Sequence, residues 1–178
     1  TVSGKVSNAG SQKIYLQELP FAGSEPLILD SATLQANGKF ELRATALEEG
    51  LYRLSLERGP EVLLINDEKS IRVNIDVNKP RFYEIEDSEA SKSLQTLFAK
   101  YSVADSSLMV DFNALETAQQ QSGNDSLVQV LTKNRDNGLL SINNLVNEFI
   151  NNSKSPAAIY YAIGMATRTM PEEAVKQL

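Results

Sequence analysis

Four carboxylates crowd one short stretch of this chain, Glu84, Glu86, Asp87 and Glu89. Oxygens at that density suit a hard cation such as calcium, and paired carboxylates can carry acid–base chemistry. The spacing of a calcium-binding loop, with its glycine, is absent. The stretch therefore reads as an exposed last strand running into the acidic start of a helix. Around it, the 178 residues include no cysteine and no histidine. Without cysteine there is no thiolate nucleophile, no disulfide and no CxxC redox pair. Without histidine the commonest general base and the commonest transition-metal ligand are missing. Ser–His–Asp and Cys–His chemistry are thereby excluded for this polypeptide, and no catalytic, cofactor-binding or metal-binding residue is assigned.

Other motifs carry little chemistry. Neither GxGxxG nor GxxxxGK[ST] occurs, so the glycines form no phosphate loop. Asp30-Ser31 interrupts an apolar alternation and predicts a bulge or turn whose side chains bond the backbone. Tyr160-Tyr161 offers rings that could stack a sugar or a peptide; the simpler expectation is one ring buried and one at the rim. Asn124-Asp125-Ser126 and Asn151-Asn152-Ser153 match a glycosylation sequon too short to be specific. A two-carboxylate glycosidase needs groups about 5–5.5 Å apart in a cleft, usually with aromatic walls, and the chain has no Trp. The net charge of −6, with no cluster of Lys and Arg, argues against nucleic acid as a partner.

The first half must form a sheet structure. In Gly50–Val77 three apolar runs are separated by Gly59-Pro60 and by Asn66-Asp67-Glu68-Lys69, which predicts a meander. Ile71, Val73, Ile75 and Val77 alternate with polar residues, while Val62-Leu63-Leu64-Ile65 is apolar throughout and predicts a strand inside the sheet, covered on both faces. Asn37-Gly38 predicts a type I′ hairpin joining Ala32–Gln35 to Lys39–Leu42, with Leu34, Phe40 and Leu42 facing the core. Val2, Gly4 and Val6, then Ile14 and Leu16, then Leu27 and Leu29, supply earlier strands, with a loop over Phe21–Glu25. Phe82–Ile85 supplies the last. About eight strands result, in an antiparallel β-sandwich or partly open barrel spanning residues 1–87.

At Asp87-Ser88, either of which can cap a helix, the period becomes helical, and residues 88–178 form a helical region. The fold class is α+β. Leu94, Leu97, Phe98, Tyr101, Leu108, Phe112 and Leu115 fill one seam, interrupted at Asp105 by a break or a polar notch. Of these, Leu94, Phe98, Tyr101, Leu108, Phe112 and Leu115 are candidates for a helix interface, including that of a homodimer; packing within the chain is the simpler expectation. A polar turn at Gln119–Asp125 precedes a second helix carrying Leu127 to Ile150, which Gly138 weakens and where a bend is expected. Ser155-Pro156 is an N-cap followed by Pro at the first helical position, and Pro171-Glu172-Glu173 opens a last helix. Thr1-Val2-Ser3 reads as strand rather than leader, and both ends are expected to be cut points of a longer chain. The apolar run Ala157–Ala166 is shorter than the roughly 20 residues that span a bilayer.

In order, the pieces are KIYLQEL, LDSATLQANGKFEL, GLYRLSL, VLLIND and IRVNIDV, then a Ser-Glu helix start and a helical tail. This resembles the N-terminal domain that precedes the thioredoxin-like domain in Gram-negative envelope lipoproteins. Those redox domains are of the alkyl hydroperoxide reductase/thiol-specific antioxidant, or TlpA-like, type. The DS-x5-NGKFEL segment from Asp30 to Leu42 and the GLYRLSL segment from Gly50 to Leu56 carry most of the match. The resemblance implies a non-catalytic accessory module, with residues 88–178 as spacer before a redox domain that is not in the sequence. It also implies a periplasmic or outer-envelope lipoprotein, membrane-attached only through a lipid anchor that is likewise not in the sequence. The implied partners are protein substrates or the chain's own redox domain. A β-sandwich module that binds a glycan or an extended peptide is the alternative.

Overall fold

The computed structural model describes residues 1–21, 25–121 and 123–178. The expected loop at Phe21–Glu25 and the polar turn at Gln119–Asp125 include Ala22, Gly23, Ser24 and Ser122, which lie outside the described residues. Two compact units divide the chain: Thr1–Leu94 with Lys154–Ala158, and Gln95–Ser153 with Ile159–Leu178.

The first unit holds eight strands: β1 Val2–Ser7, β2 Lys13–Glu18, β3 Leu27–Thr33, β4 Lys39–Leu42, β5 Leu51–Leu56, β6 Glu61–Ile65, β7 Ile71–Asp76 and β8 Tyr83–Glu86. They form two four-stranded sheets, in the orders β4-β1-β7-β8 and β3-β2-β5-β6, with no closed barrel. The core consists of the inward side chains of both sheets, among them Ile14, Leu42, Leu54, Val62 and Val73, all fully buried. Alternation is the cause: Val2 and Val6, Ile14 and Leu16, and Ile71, Val73 and Ile75 each place one face inward.

The meander of Gly50–Val77 does not stay in one sheet. Strands β5 and β6 pair antiparallel, but β7 crosses to the other sheet. There it lies parallel to β1, from Val2 opposite Ile71 to Ser7 opposite Asp76, and antiparallel to β8. Parallel neighbours require a long connection, and the chain from β1 to β7 provides one. The run Val62–Ile65 is an edge strand rather than an interior one. Its continuous apolarity has another source. Val62 and Leu64 join the core, whereas Ile65, also fully buried, lies under the start of the first helix, where its backbone bonds Ser91.

The Asn37-Gly38 turn also differs from expectation. Gly38 N–H bonds the Gln35 carbonyl (2.8 Å) and Gln35 N–H the Lys39 carbonyl (3.2 Å), enclosing a three-residue loop. Of Asn37 and Gly38 only Gly38 has positive φ, at 77°. This is a turn ending in a left-handed residue rather than a two-residue type I′ turn. The strands then diverge: β3 pairs with β2 and β4 with β1. Leu34, Phe40 and Leu42 are buried as the pattern predicts. Leu29 and Ala32 pack on the core, but Leu27 is 56% exposed on the edge strand β3. A register shift separates it from them, since Leu16 faces Asp30 and Gln17 faces Ile28.

In the helices, α1 spans Glu89–Gln119 without interruption, so Asp105 marks a polar notch. The Ser106 hydroxyl there donates back to the Ser102 carbonyl at 2.7 Å. Helix α2 covers Asp125–Asn152, α3 Pro156–Ala166 and α4 Glu172–Val175. At Gly138 a Cβ would stand 3.0 Å from Leu108 Cδ1, so the glycine permits close approach of α1. The second unit buries Leu97, Tyr101, Leu108 and Leu115 of α1 with Ile142, Val146 and Ile150 of α2. From α3 it buries Ala162 and Ala166, whose small side chains allow tight packing. Ser155 Oγ accepts from Ala158 N–H at 3.1 Å, the cap expected ahead of Pro156.

Candidate functional site

The two stretches that carry the resemblance are occupied by architecture. Asp30 sits at the bulge; its Oδ1 accepts from Ser31 N–H (2.8 Å) and its Oδ2 from Arg43 N–H (2.7 Å), tying down the chain beyond β4. Asn37 Oδ1 accepts from Lys39 N–H at 2.9 Å, and a Cβ on Gly38 would meet the Val6 carbonyl oxygen at 2.1 Å. In GLYRLSL, Gly50 N–H donates to Asn66 Oδ1 (2.7 Å), and Leu51, Tyr52, Leu54 and Leu56 are buried. Arg53 and Ser55 both donate to Gln17 Oε1. Asp30, Asn37, Asn66, Gln17, Arg53 and Ser55 thus hold strands and turns.

The acidic stretch shows no metal geometry. Among the described residues no three acidic side chains converge as a cation site. Arg72 pairs with Glu86 and lies 3.7 Å from Asp87, and Lys92 pairs with Glu89 at 2.9 Å. Of the six interface candidates, Leu94, Tyr101, Leu108 and Leu115 are buried within this chain. Phe98 is half-buried, edge-on to Tyr161 with ring centroids 5.4 Å apart, and Phe112 is 39% exposed. Tyr160 is exposed beside the half-buried Tyr161, the one-in, one-out arrangement expected of the pair. Among the described residues no helix is long and apolar enough to cross a membrane.

Two features go beyond what the sequence pattern indicated. The first is a buried polar joint where β6 meets α1. Ser88 caps the helix, accepting from Ser91 N–H at 3.1 Å, and donates to Asp67 Oδ1 at 2.6 Å. Asp67 Oδ2 accepts from Ala90 N–H at 2.9 Å, placing a carboxylate at the positive end of the helix. The Ser91 hydroxyl accepts from Ile65 N–H at 2.8 Å and lies 2.6 Å from that of Ser88. Ser88 and Ser91 are both fully buried. Asp67 is 21 residues from Ser88, and no periodicity connects them. A similar long-range cap joins Glu49 to α3: its Oε1 accepts from Ser155 Oγ (2.5 Å) and Ala157 N–H (3.1 Å).

The second feature is a cleft of about 480 Å³ at one end of the sandwich. Its floor is the end of the core: Val2 and Ile71 from one sheet, Leu16, Tyr52 and Leu64 from the other. Its rim is formed by Ala44–Ala46 and by the turn Asn66–Lys69. Burial, with the negative charges of Glu18 and Glu48, pushes the Tyr52 hydroxyl above its ordinary value of 10.0. Burial likewise raises Tyr83, Tyr101 and Tyr161. A phenol whose folded pKa is raised contributes stability that is complete below about pH 10 and is lost as pH rises through the folded value. Alkaline titration should therefore show part of the phenolate absorbance appearing only together with the loss of circular dichroism. Ionisation of these four rings in a fully folded protein near pH 10 would contradict it.

No curated protein matches this chain. Residues 1–94 match the family described as Domain of unknown function (DUF4369), and they cover the β-sandwich through the first turn and a half of α1. That match takes in more than half of the 178 residues, so the chain belongs to the DUF4369 family.

Proposed function

We propose that the chain is a non-catalytic N-terminal accessory module of an envelope thiol–disulfide oxidoreductase, positioning a redox domain or its protein partners. One observation carries the reading. In DS-x5-NGKFEL and GLYRLSL, Asp30, Asn37 and Gly50 serve a bulge, a turn and a loop tie, and Leu34, Phe40, Leu42, Leu54 and Leu56 serve the core. A chain without cysteine or histidine agrees with that role. So does the Asp67–Ser88–Ser91 joint, because it fixes the first turn of α1 on the sheet. In this reading the protein is anchored by lipid in the periplasmic or outer envelope, and the thiol chemistry belongs to a following domain.

The test has two arms. The reading frame that encodes Leu178 should continue into a strand followed by a CxxC motif, whereas the polypeptide of residues 1–178 should show no insulin-reducing or dithiol-oxidising turnover above blank. A frame that ends without a cysteine pair, or turnover by this chain alone, would overturn the reading. The binding-module alternative is favoured by one specific observation, the cleft between the ends of the two sheets.

A further inference from the structure

The loop between β4 and β5 is built unlike the other rim of the cleft. It is pinned at both ends: Arg43 N–H bonds Asp30, and the far end is held by Asn66, which accepts from Gly50 N–H and donates to the Glu48 carbonyl at 3.0 Å. Between these pins, among the described residues, the backbone of Ala44, Thr45, Ala46 and Leu47 makes no hydrogen bond within the protein. The four residues are exposed and adopt neither helix nor turn, and Leu47 is fully open to solvent. Ala44–Ala46 follow directly on the end of β4, and backbone donors and acceptors left free beside a strand end can be taken up by an extended chain. Beneath it lies an apolar floor within a volume in the range of ligand sites.

The charges around the opening are unequal. Glu68 and Asp67 line it, and Glu18 and Glu48 stand near enough to Tyr52 to act on its hydroxyl. Against these four carboxylates stands Lys69 on the same rim. Asp67 is committed to Ser88 and Ala90, but Glu48 and Glu68 are exposed. An occupant complementary to this rim is basic.

We propose that the cleft receives an extended polypeptide segment bearing an apolar side chain two residues from a lysine or arginine, on the same face. The apolar side chain settles over the floor formed by Leu16, Leu64 and Ile71, the peptide backbone pairs with Ala44–Ala46, and the cation meets Glu48 and Glu68. This deepens the binding-module reading and rests on it, not on the accessory-module one: a peptide that fails to bind leaves the test of the downstream CxxC untouched.

The test uses the folded chain and a blocked peptide, Lys-Ala-Leu-Ala-Lys, followed by amide chemical shifts. Shifts should concentrate at Ala44–Ala46, Tyr52, Asn66 and Glu68. Replacing the peptide's leucine by serine, or its lysines by glutamates, should weaken binding about tenfold, equivalent to about 1.4 kcal/mol. Raising salt should weaken it further. Ala46→Phe, on the exposed loop, should fill the cleft and abolish the shifts. Glu68→Lys, a surface charge swap, should weaken the lysine peptide and strengthen the glutamate one. The proposal is overturned if no shifts occur, if they map elsewhere, if the glutamate peptide binds the unmodified chain equally well, or if only an oligosaccharide moves these amides.

Discussion

Gly4→Ala should destabilise the first unit by about 3 kcal/mol or more, among the largest effects available to one added methyl group. Gly4 lies in β1, the strand between β4 and β7, opposite Phe40 on one side and Val73 on the other. A Cβ there would stand 1.9 Å from the Val73 carbonyl oxygen and 2.7 Å from its carbon. The obstacle is backbone, which cannot turn aside as a flexible side chain could. Relief requires β1 to move off β7, and this pairing is the parallel one that brings the two strands together. Urea unfolding followed by circular dichroism should show a lower midpoint. The matched control is Gly164→Ala, where nothing lies within 4 Å of the new Cβ. In a helix that change should stabilise, by about 0.5–1 kcal/mol. Equal midpoints for Gly4→Ala and the unmodified chain would mean that β1 and β7 are not in close register.

Ser91→Ala is expected to cost about 2 kcal/mol, an effect out of proportion to the removal of one oxygen. The Ile65 amide donates to Ser91 Oγ at a position with no solvent access, and without that acceptor it is left unpaired. A buried unsatisfied group costs about 1–3 kcal/mol. The change also removes a neighbour of Ser88, whose hydroxyl both caps α1 and binds Asp67. Ser88→Ala should cost less, about 0.5–2 kcal/mol, as the loss of an N-cap. Because the two hydroxyls share one network, the double variant should fall short of the sum of the singles. Ser102→Ala, on an exposed part of the same helix, should stay within about 0.5 kcal/mol of the parent. A Ser91→Ala variant as stable as Ser102→Ala would show that the joint contributes nothing to stability.

Much of the fold was readable because its cause is local. Period-two alternation at Val2–Val6 and Ile71–Ile75 required strands with one apolar face, and those faces form the core. Ser88 and Ser155 cap α1 and α3 because a hydroxyl just before a helical run can reach the first free amides. The Asp30-Ser31 interruption is a bulge with side chains on backbone amides, as short polar residues in a strand favour. Pattern and structure part where a local cue meets a tertiary one. Three consecutive apolar runs looked like one meander, yet β7 satisfies the same alternation in the other sheet beside β1. Val62–Ile65 looked like an interior strand, and it is an edge strand because β7 joins the other sheet; its last residue, Ile65, is apolar because the start of α1 covers it.

The amino-acid sequence by itself determined the α+β class, the number of strands, the helix starts and the absence of sulfur and imidazole chemistry. Each follows from residue types at short spacing. Only the tertiary structure decided which strands are neighbours, that Asp67 caps a helix beginning at Glu89, and that Ala44–Ala46 and Asn66–Lys69 rim one cleft over Tyr52. The physical reason is that these groups are distant along the chain and joined by hydrogen bonds and sheet packing, which leave no period in the sequence.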